Sequence, residues 1–156
     1  MSQFSVYINP PEYLGQWLRH DYWDTEKGRV SFPRGSAPRA ILKSLLRKAP
    51  ATYVECGREE MIPVEVPSFK GLNPASFNYL SPTGKKALIS ACRDLFQATL
   101  VDELHELFFH DIKITDIIYD FMDRHGIERT EQNWEAIRQM YYRVRKRNKS
   151  PKVKLC

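Results

Sequence analysis

The sequence predicts an α+β protein: a small mixed lobe of short strands and two helices, followed by an all-α lobe of three or four helices. Two observations lead to this fold class. Up to about Leu80 the apolar residues fall in short segments, several of which alternate with polar residues as in half-buried strands. From Pro82 onward they recur every three or four residues, the spacing of one helical face. We therefore expect a mixed lobe over 1–81, a helical lobe over 82–148 and a basic tail over 149–156.

Three short strands are predicted in the mixed lobe. Alternation over 4–8 indicates the first, and the segment 29–33 resembles a second, brief strand. The third covers 62–66, where every second residue is a branched apolar one. Because Pro63 and Pro67 cannot donate a hydrogen bond to a ladder, this strand is expected at the edge of a sheet.

Two helices are predicted between these strands. The first has Pro11 in its first turn and places Leu14, Trp17 and Leu18 on one face. The second is capped by Ser36, whose hydroxyl is suited to bind a free backbone N–H. Its predicted buried face consists of Ile41, Leu42, Leu45 and Leu46.

The first helix of the helical lobe carries two apolar faces. One consists of Leu88, Cys92, Leu95 and Thr99, and the other of Leu100, Leu104, Leu107 and Phe108. The second face is rotated around the helix by roughly a third of a turn. Either the helix bends near Thr99 or a second helix begins there.

The last two helices have clearer limits. The buried stripe of the first of them consists of Ile114, Ile117, Ile118 and Phe121. Gly126 lies where a glycine commonly ends a helix in the left-handed conformation. Either Thr130 or Asn133 is expected to cap the final helix.

Composition bounds the class of protein. Of the 156 residues, 42% are hydrophobic and 28% charged, which is typical of globular chains. No apolar run approaches the ~20 residues of a membrane span, and the first residues do not resemble a signal peptide. Three widely spaced cysteines suggest neither a disulfide scaffold nor a zinc ribbon. We expect a cytoplasmic protein without a membrane partner.

Charge is sorted along the chain. The net charge is +5, but 1–93 carries +5, 94–132 carries −7 and 133–156 carries +7. Such segregation predicts a polarised surface, with the basic end attracting polyanions.

The final helix combines a packing face with a polar, basic face. Trp134, Ile137, Tyr141 and Val144 recur at helical spacing, with Met140 beside them. Arginine can bond a guanine edge, glutamine an adenine edge, and the other cations phosphates. The predicted nucleic-acid-binding residues are Arg138, Gln139, Tyr142, Arg143, Lys146, Arg147 and Lys149. Alternatively, these cations complement the helix dipole and keep the chain end soluble.

The arrangement 114–127, a turn, then 134–147 resembles the helix-turn-helix of homeodomain-like modules. It departs from that motif in two respects. The segment 128–133 is longer than the three- or four-residue turn of the compact motif. Met122 also stands where a small residue usually allows the two helices to approach.

Candidate catalytic and metal sites fail on spacing. His105 and His110 are five residues apart, whereas the zinc-protease helix needs two histidines four apart. The segment 82–86 lacks the glycine spacing of a phosphate-binding loop, and Asp116, Asp120 and Asp123 are expected to be a solvated acidic face. No nucleophile and base can be paired from the sequence. We expect no enzyme, cofactor or metal.

A second, weaker basic patch is predicted in the mixed lobe. Arg34 precedes the helix capped by Ser36, at a position suited to an anion. The exposed side of that helix carries Arg39, Lys43, Arg47 and Lys48.

Most of the chain resembles a group of small bacterial proteins associated with integrated phages and conjugative or transposable elements. The resemblance lies in the segments 6–8, 16–20, 32–36, 69–71, 78–80 and 133–137. It implies an accessory or regulatory role on DNA and brings no activity and no functional residue with it.

Two functions follow as hypotheses. The first is a non-enzymatic DNA-binding protein that uses its basic C-terminal helix, with RNA as a possible substitute for DNA. The second is a protein-interaction or oligomerisation module without nucleic-acid affinity. In it, the acidic helix around 116–123 meets the basic helix of a neighbouring copy head-to-tail, giving a homo-oligomer.

Overall fold

The computed structural model describes residues 4–55, 57–107 and 112–149, with only the backbone of 148 and 149. Phe108, His110 and the basic tail beyond Lys149, which figure in the expectations above, lie outside the described residues. The architecture is α+β, as predicted. In chain order the elements are β1 (Ser5–Ile8), α1 (Glu12–Asp21), β2 (Trp23–Asp24), β3 (Arg29–Val30), α2 (Ala37–Leu45), β4 (Ile62–Glu65), α3 (Pro82–Leu104), a 3-10 helix (His105–Leu107), α4 (Ile114–Arg124) and α5 (Glu131–Lys149).

The chain is divided into two compact units, Met1–Arg93 and Asp94–Cys156. The division falls within α3, whereas the boundary expected from the sequence falls at 81/82. The first unit contains the four strands with α1 and α2, and the second contains α4 and α5. Among the described residues no helix is both long and apolar enough to cross a bilayer.

The sheet has the strand order β1-β4-β3-β2. β1 pairs with β4 antiparallel, β2 pairs with β3 antiparallel, and β3 meets β4 in parallel. The predicted edge position of β4 is therefore wrong, because β4 lies between two other strands. The proline is tolerated because β4 contacts β3 at the single pair Val30↔Val64. Because the β3–β4 ladder is this short, it needs no hydrogen bond from the N–H that Pro63 lacks.

The predicted strands and helices of the first unit are otherwise present. Val6 and Ile8 of β1 are buried, as are Leu14, Trp17 and Leu18 of α1, which contacts β2 and β3. Pro11 is the residue preceding α1 rather than part of its first turn.

α2 begins as the sequence predicts. The Ser36 hydroxyl accepts a hydrogen bond of 3.4 Å from the backbone N–H of Arg39. Leu42 and Leu46 are fully buried, while Ile41 and Leu45 are half-buried.

α3 runs through Thr99 without a second helix beginning there. The Thr99 hydroxyl donates a hydrogen bond of 3.0 Å to the carbonyl of Leu95, one turn earlier. This bond keeps the side chain within the helix, so Thr99 does not act as a cap.

α4 and α5 are connected by residues 125–130 and contact each other. Gly126 has a φ of 68°, and the N–H of Ile127 donates to the carbonyl of Met122 at 2.9 Å, which confirms the predicted helix end. Thr130 caps α5, since its hydroxyl accepts from the N–H of Asn133 at 3.1 Å. Asn133 is instead buried and donates to the carbonyl of Glu128.

Candidate nucleic-acid interface

The buried side of α5 fixes which side of the helix faces solvent. Ile137, Met140, Tyr141 and Val144 are all at most 4% exposed, and Trp134 is half-buried. Desolvation raises the pKa of the Tyr141 hydroxyl above its ordinary value. Because side chains on one helix recur every 3.6 residues, burying this stripe directs the remaining residues outward.

Four of the predicted site residues lie together on the outer side. Tyr142 is 43% exposed, and Arg143, Lys146 and Arg147 are exposed beside it. Within the described part of the chain none of these three cations forms an ion pair with a carboxylate. This outer face of α5, defined by Tyr142, Arg143, Lys146 and Arg147, therefore presents its full positive charge.

Two further predicted residues are bound to an acid on the same helix. Arg138 donates to Glu135 from Nε at 3.0 Å and from Nη2 at 2.7 Å. Gln139 donates from Nε2 to the same carboxylate at 3.1 Å. The Arg138 hydrogen bond lowers the pKa of Glu135, and the Glu135 carboxylate raises the pKa of Arg138. Glu135 therefore compensates the charge of Arg138 and occupies one amide N–H of Gln139.

Lys149 ends α5, and its side chain lies outside the described residues. Its place in the predicted set therefore remains an expectation from helical spacing.

The structure also forms a strip of rings and cations that sequence reasoning did not single out. Arg138 lies over the rings of Trp134 and Tyr142, with 5.6 and 5.4 Å from its guanidinium carbon to the ring centroids. Arg129 lies over Tyr119 at 4.6 Å, and the Tyr119 and Trp134 rings are 6.3 Å apart. The four-residue spacing of Trp134, Arg138 and Tyr142 was the signal in the sequence. Rings and guanidinium groups arranged in this way are surfaces on which bases stack.

The acidic side of α4 is partly neutralised within its own unit. Arg124 donates to Asp120 at 3.0 Å, and Arg129 donates to Asp123 at 3.0 and 2.5 Å. Asp116, Asp120 and Asp123 are exposed, as expected of a solvated acidic face.

The connection between α4 and α5 departs from that of the compact helix-turn-helix motif. α4 ends at Arg124 and α5 begins at Glu131, so residues 125–130 separate them, more than the three or four of the compact motif. Met122 is fully buried. A bulky side chain thus occupies the position that is small in the compact motif, which is a second departure from it.

Two observations concern metal ligands and the thiol of Cys92. No group of three or more His, Cys, Asp or Glu residues there is arranged to hold a metal ion. Cys92 is buried, and burial raises the pKa of its thiol to about 12, so the thiol stays protonated and is a poor nucleophile.

The arrangement on α5 is suited to binding a polyanion through three unpaired cations and an exposed ring. The chain matches no protein-family model, no curated protein and no solved structure.

Proposed function

We propose that the protein is a non-enzymatic DNA-binding protein with an accessory or regulatory role, and that the outer face of α5 contacts duplex DNA. One observation carries the proposal. Arg143, Lys146 and Arg147 are exposed on a helix whose opposite side is buried, and no carboxylate of the described residues pairs with them. A rigid amphipathic helix with such a face fits the major groove, which admits an α-helix.

The contacts divide between positioning and readout. Arg143, Lys146 and Arg147 would neutralise phosphates and orient the helix. Tyr142 would lie beside them, able to contact sugar or base edges. Arg138 and Gln139 would contribute less than these cations, since both donate to Glu135 in the unbound protein.

Protein interaction is the competing function, and the ion pairs on α4 weaken its support. Head-to-tail association would require the acids of α4 to bind the α5 cations of a second copy. Asp120 and Asp123 already bind arginines of their own chain. Single-stranded DNA or RNA remains an alternative ligand, because stacking surfaces do not distinguish them from each other. A cytoplasmic location, as expected from the cysteines, agrees with either nucleic acid.

The test is a fluorescence-anisotropy titration of the full chain with a mixed-sequence duplex at about 50 and 200 mM salt. Each phosphate contact contributes about 0.9 to the slope of log affinity against log salt. Three contacts therefore predict a loss of affinity of roughly fortyfold between the two conditions. The double variant Arg143→Ala/Lys146→Ala retains one contact and should lose only about three- to fourfold on the same change of salt.

A matched control removes the same two residue types elsewhere. Lys86 and Arg93 are exposed on α3, and Lys86→Ala/Arg93→Ala lowers the net charge equally. We expect this variant to keep the wild-type affinity and salt dependence. If both double variants weaken DNA binding equally, the weakening is due to the lower net charge and not to the outer face of α5. Absence of DNA binding at low salt would reject the proposal.

A further inference from the structure

A cavity in the first unit is lined by cations from three separate segments. It has a volume of about 360 Å³, within the range of roughly 300–1,000 Å³ that small-molecule sites occupy. Two of its cations, Arg39 and Lys43, come from α2. The others, Arg34 and Lys70, come from segments that are far apart in the sequence.

Two similar turns deliver Arg34 and Lys70 to the cavity. In 33–36 the N–H of Ser36 donates to the carbonyl of Pro33 at 3.2 Å, and in 69–72 the N–H of Leu72 donates to Phe69 at 3.0 Å. Gly35 and Gly71 hold the third position of each turn with φ of 84° and 81°, as in type II turns. Each turn thus carries a cation at its second position and glycine at its third.

Arg39 is held in place by contacts that leave its charge uncompensated. Its guanidinium carbon lies 5.1 Å from the centroid of the Phe69 ring, and Nη1 donates to the carbonyl of Phe32 at 3.4 Å. Neither contact supplies a negative charge. Preorganised cations of this kind bind an anion with less loss of conformational entropy than free side chains do.

No carboxylate lines this cavity to offset the four cations. The described lining residues include no Asp or Glu, and within the described residues Arg34, Lys43 and Lys70 form no ion pair. Gathering four like charges in a concave site is unfavourable unless an anion neutralises them. About four negative charges, rather than one or two, would match the lining.

We propose that this cavity binds a polyphosphate group, such as the phosphates of a nucleoside triphosphate. Arginine binds phosphate oxygens through paired N–H groups and lysine as a point charge, so the four side chains are suited to adjacent phosphates. The proposal concerns the first unit alone and is independent of DNA binding by α5.

Isothermal titration calorimetry of the full chain at low salt tests the proposal, with inorganic tripolyphosphate as the probe. We expect saturable binding at one site, with inorganic phosphate binding more weakly because it meets fewer of the cations. Arg34→Ala/Lys70→Ala should weaken tripolyphosphate binding by at least about tenfold, since two charge-assisted contacts are lost. Both residues are exposed in surface turns, so the variant should remain folded, which circular dichroism would verify.

Two further double variants separate this cavity from general charge and from α5. Lys86→Ala/Arg93→Ala and Arg143→Ala/Lys146→Ala should each bind tripolyphosphate as the wild type does. Weakening of equal size in either of them, citrate binding as strongly as tripolyphosphate, or no saturable binding would overturn the proposal. Because the α5 variant is examined with both ligands, failure of this proposal and failure of DNA binding would be told apart.

Discussion

The carboxylate of Glu135 binds the guanidinium of Arg138 through two hydrogen bonds, of 3.0 and 2.7 Å, one turn apart on α5. Glu135 also accepts from Gln139, so one acid occupies two donors of the predicted DNA-binding set. The same arginine lies over Trp134 and Tyr142. If the outer face of α5 binds a polyanion, as we propose, Glu135 should weaken that binding in two ways, by its own charge and by compensating the charge of Arg138.

Replacing Glu135 by glutamine should strengthen DNA binding. The change removes one negative charge beside the outer face of α5 and releases Arg138 to a phosphate. With a fourth contact, the loss of affinity between about 50 and 200 mM salt should increase from roughly fortyfold to roughly 150-fold. Anisotropy titrations with the same duplex measure both the affinity and this salt dependence.

Glu106→Gln is the matched control, because Glu106 is also exposed and lies in the 3-10 helix outside the site. It should leave the salt dependence at the wild-type value. Unchanged or weaker DNA binding by Glu135→Gln would contradict the assignment of this helix face to DNA.

Tyr142 should contribute to affinity without contributing to salt dependence. Its exposed ring can contact sugars or bases, but it carries no charge and releases no counterion. We expect Tyr142→Ala to weaken duplex binding while retaining the roughly fortyfold loss between the two salt conditions. Tyr142→Phe, which keeps the ring, should bind as tightly as the wild type if only stacking is used.

The same variants distinguish duplex from single strands. Base stacking on an aromatic side chain contributes most when bases are free of a duplex. If α5 occupies the major groove, the wild type should bind the duplex more tightly than either single-stranded DNA or RNA of the same sequence. A larger effect of Tyr142→Ala on single strands, together with tighter binding to them, would indicate single-strand recognition.

Local features of the fold could be predicted from the sequence. The helix caps at Ser36 and Thr130, the glycine end of α4 and the buried stripe of α5 each depend on residues within one or two turns of one another. The pairing of Arg138 with Glu135 is not among the predictions, although the i, i+3 spacing of the two residues is typical of such a pair.

Features that depend on distant residues could not be predicted in this way. The position of β4 depends on which strands pair with it, and β1 and β3 are both remote in sequence. The cationic cavity likewise forms only where the turns 33–36 and 69–72 lie together. Each turn contains a cation followed by glycine, but this local pattern does not indicate that the two turns meet. Neither turn is predicted from the sequence spacing, and neither is their association, since the cavity joins segments that are far apart in the chain.

Glu65 forms a buried polar network in the sheet that should govern acid stability. Its carboxylate is 2.7 Å from Nζ of Lys27, 2.8 Å from the Ser31 hydroxyl and 3.4 Å from Nη2 of Arg29. Burial alone raises its pKa, but the hydrogen bonds from Lys27 and Ser31 and the charges of Lys27 and Arg29 outweigh burial, so the pKa is lowered. A carboxyl whose pKa is lower in the folded state stabilises the fold above its unfolded pKa of about 4.3.

The free energy of unfolding should therefore fall as pH decreases below about 4.3, because the folded state must then give up contacts made by ionised Glu65. Glu65→Gln removes the buried charge that faces Lys27 and Arg29, and it should cost about 3 kcal/mol near neutral pH. The variant should also lose less of its remaining stability on acidification than the wild type. Urea titrations followed by tryptophan fluorescence at several pH values measure both effects.

Glu26→Gln, at an exposed position beside β2, is the control. It should change neither the stability near neutral pH nor its loss on acidification. Equal behaviour of the two variants would contradict a stabilising role for Glu65.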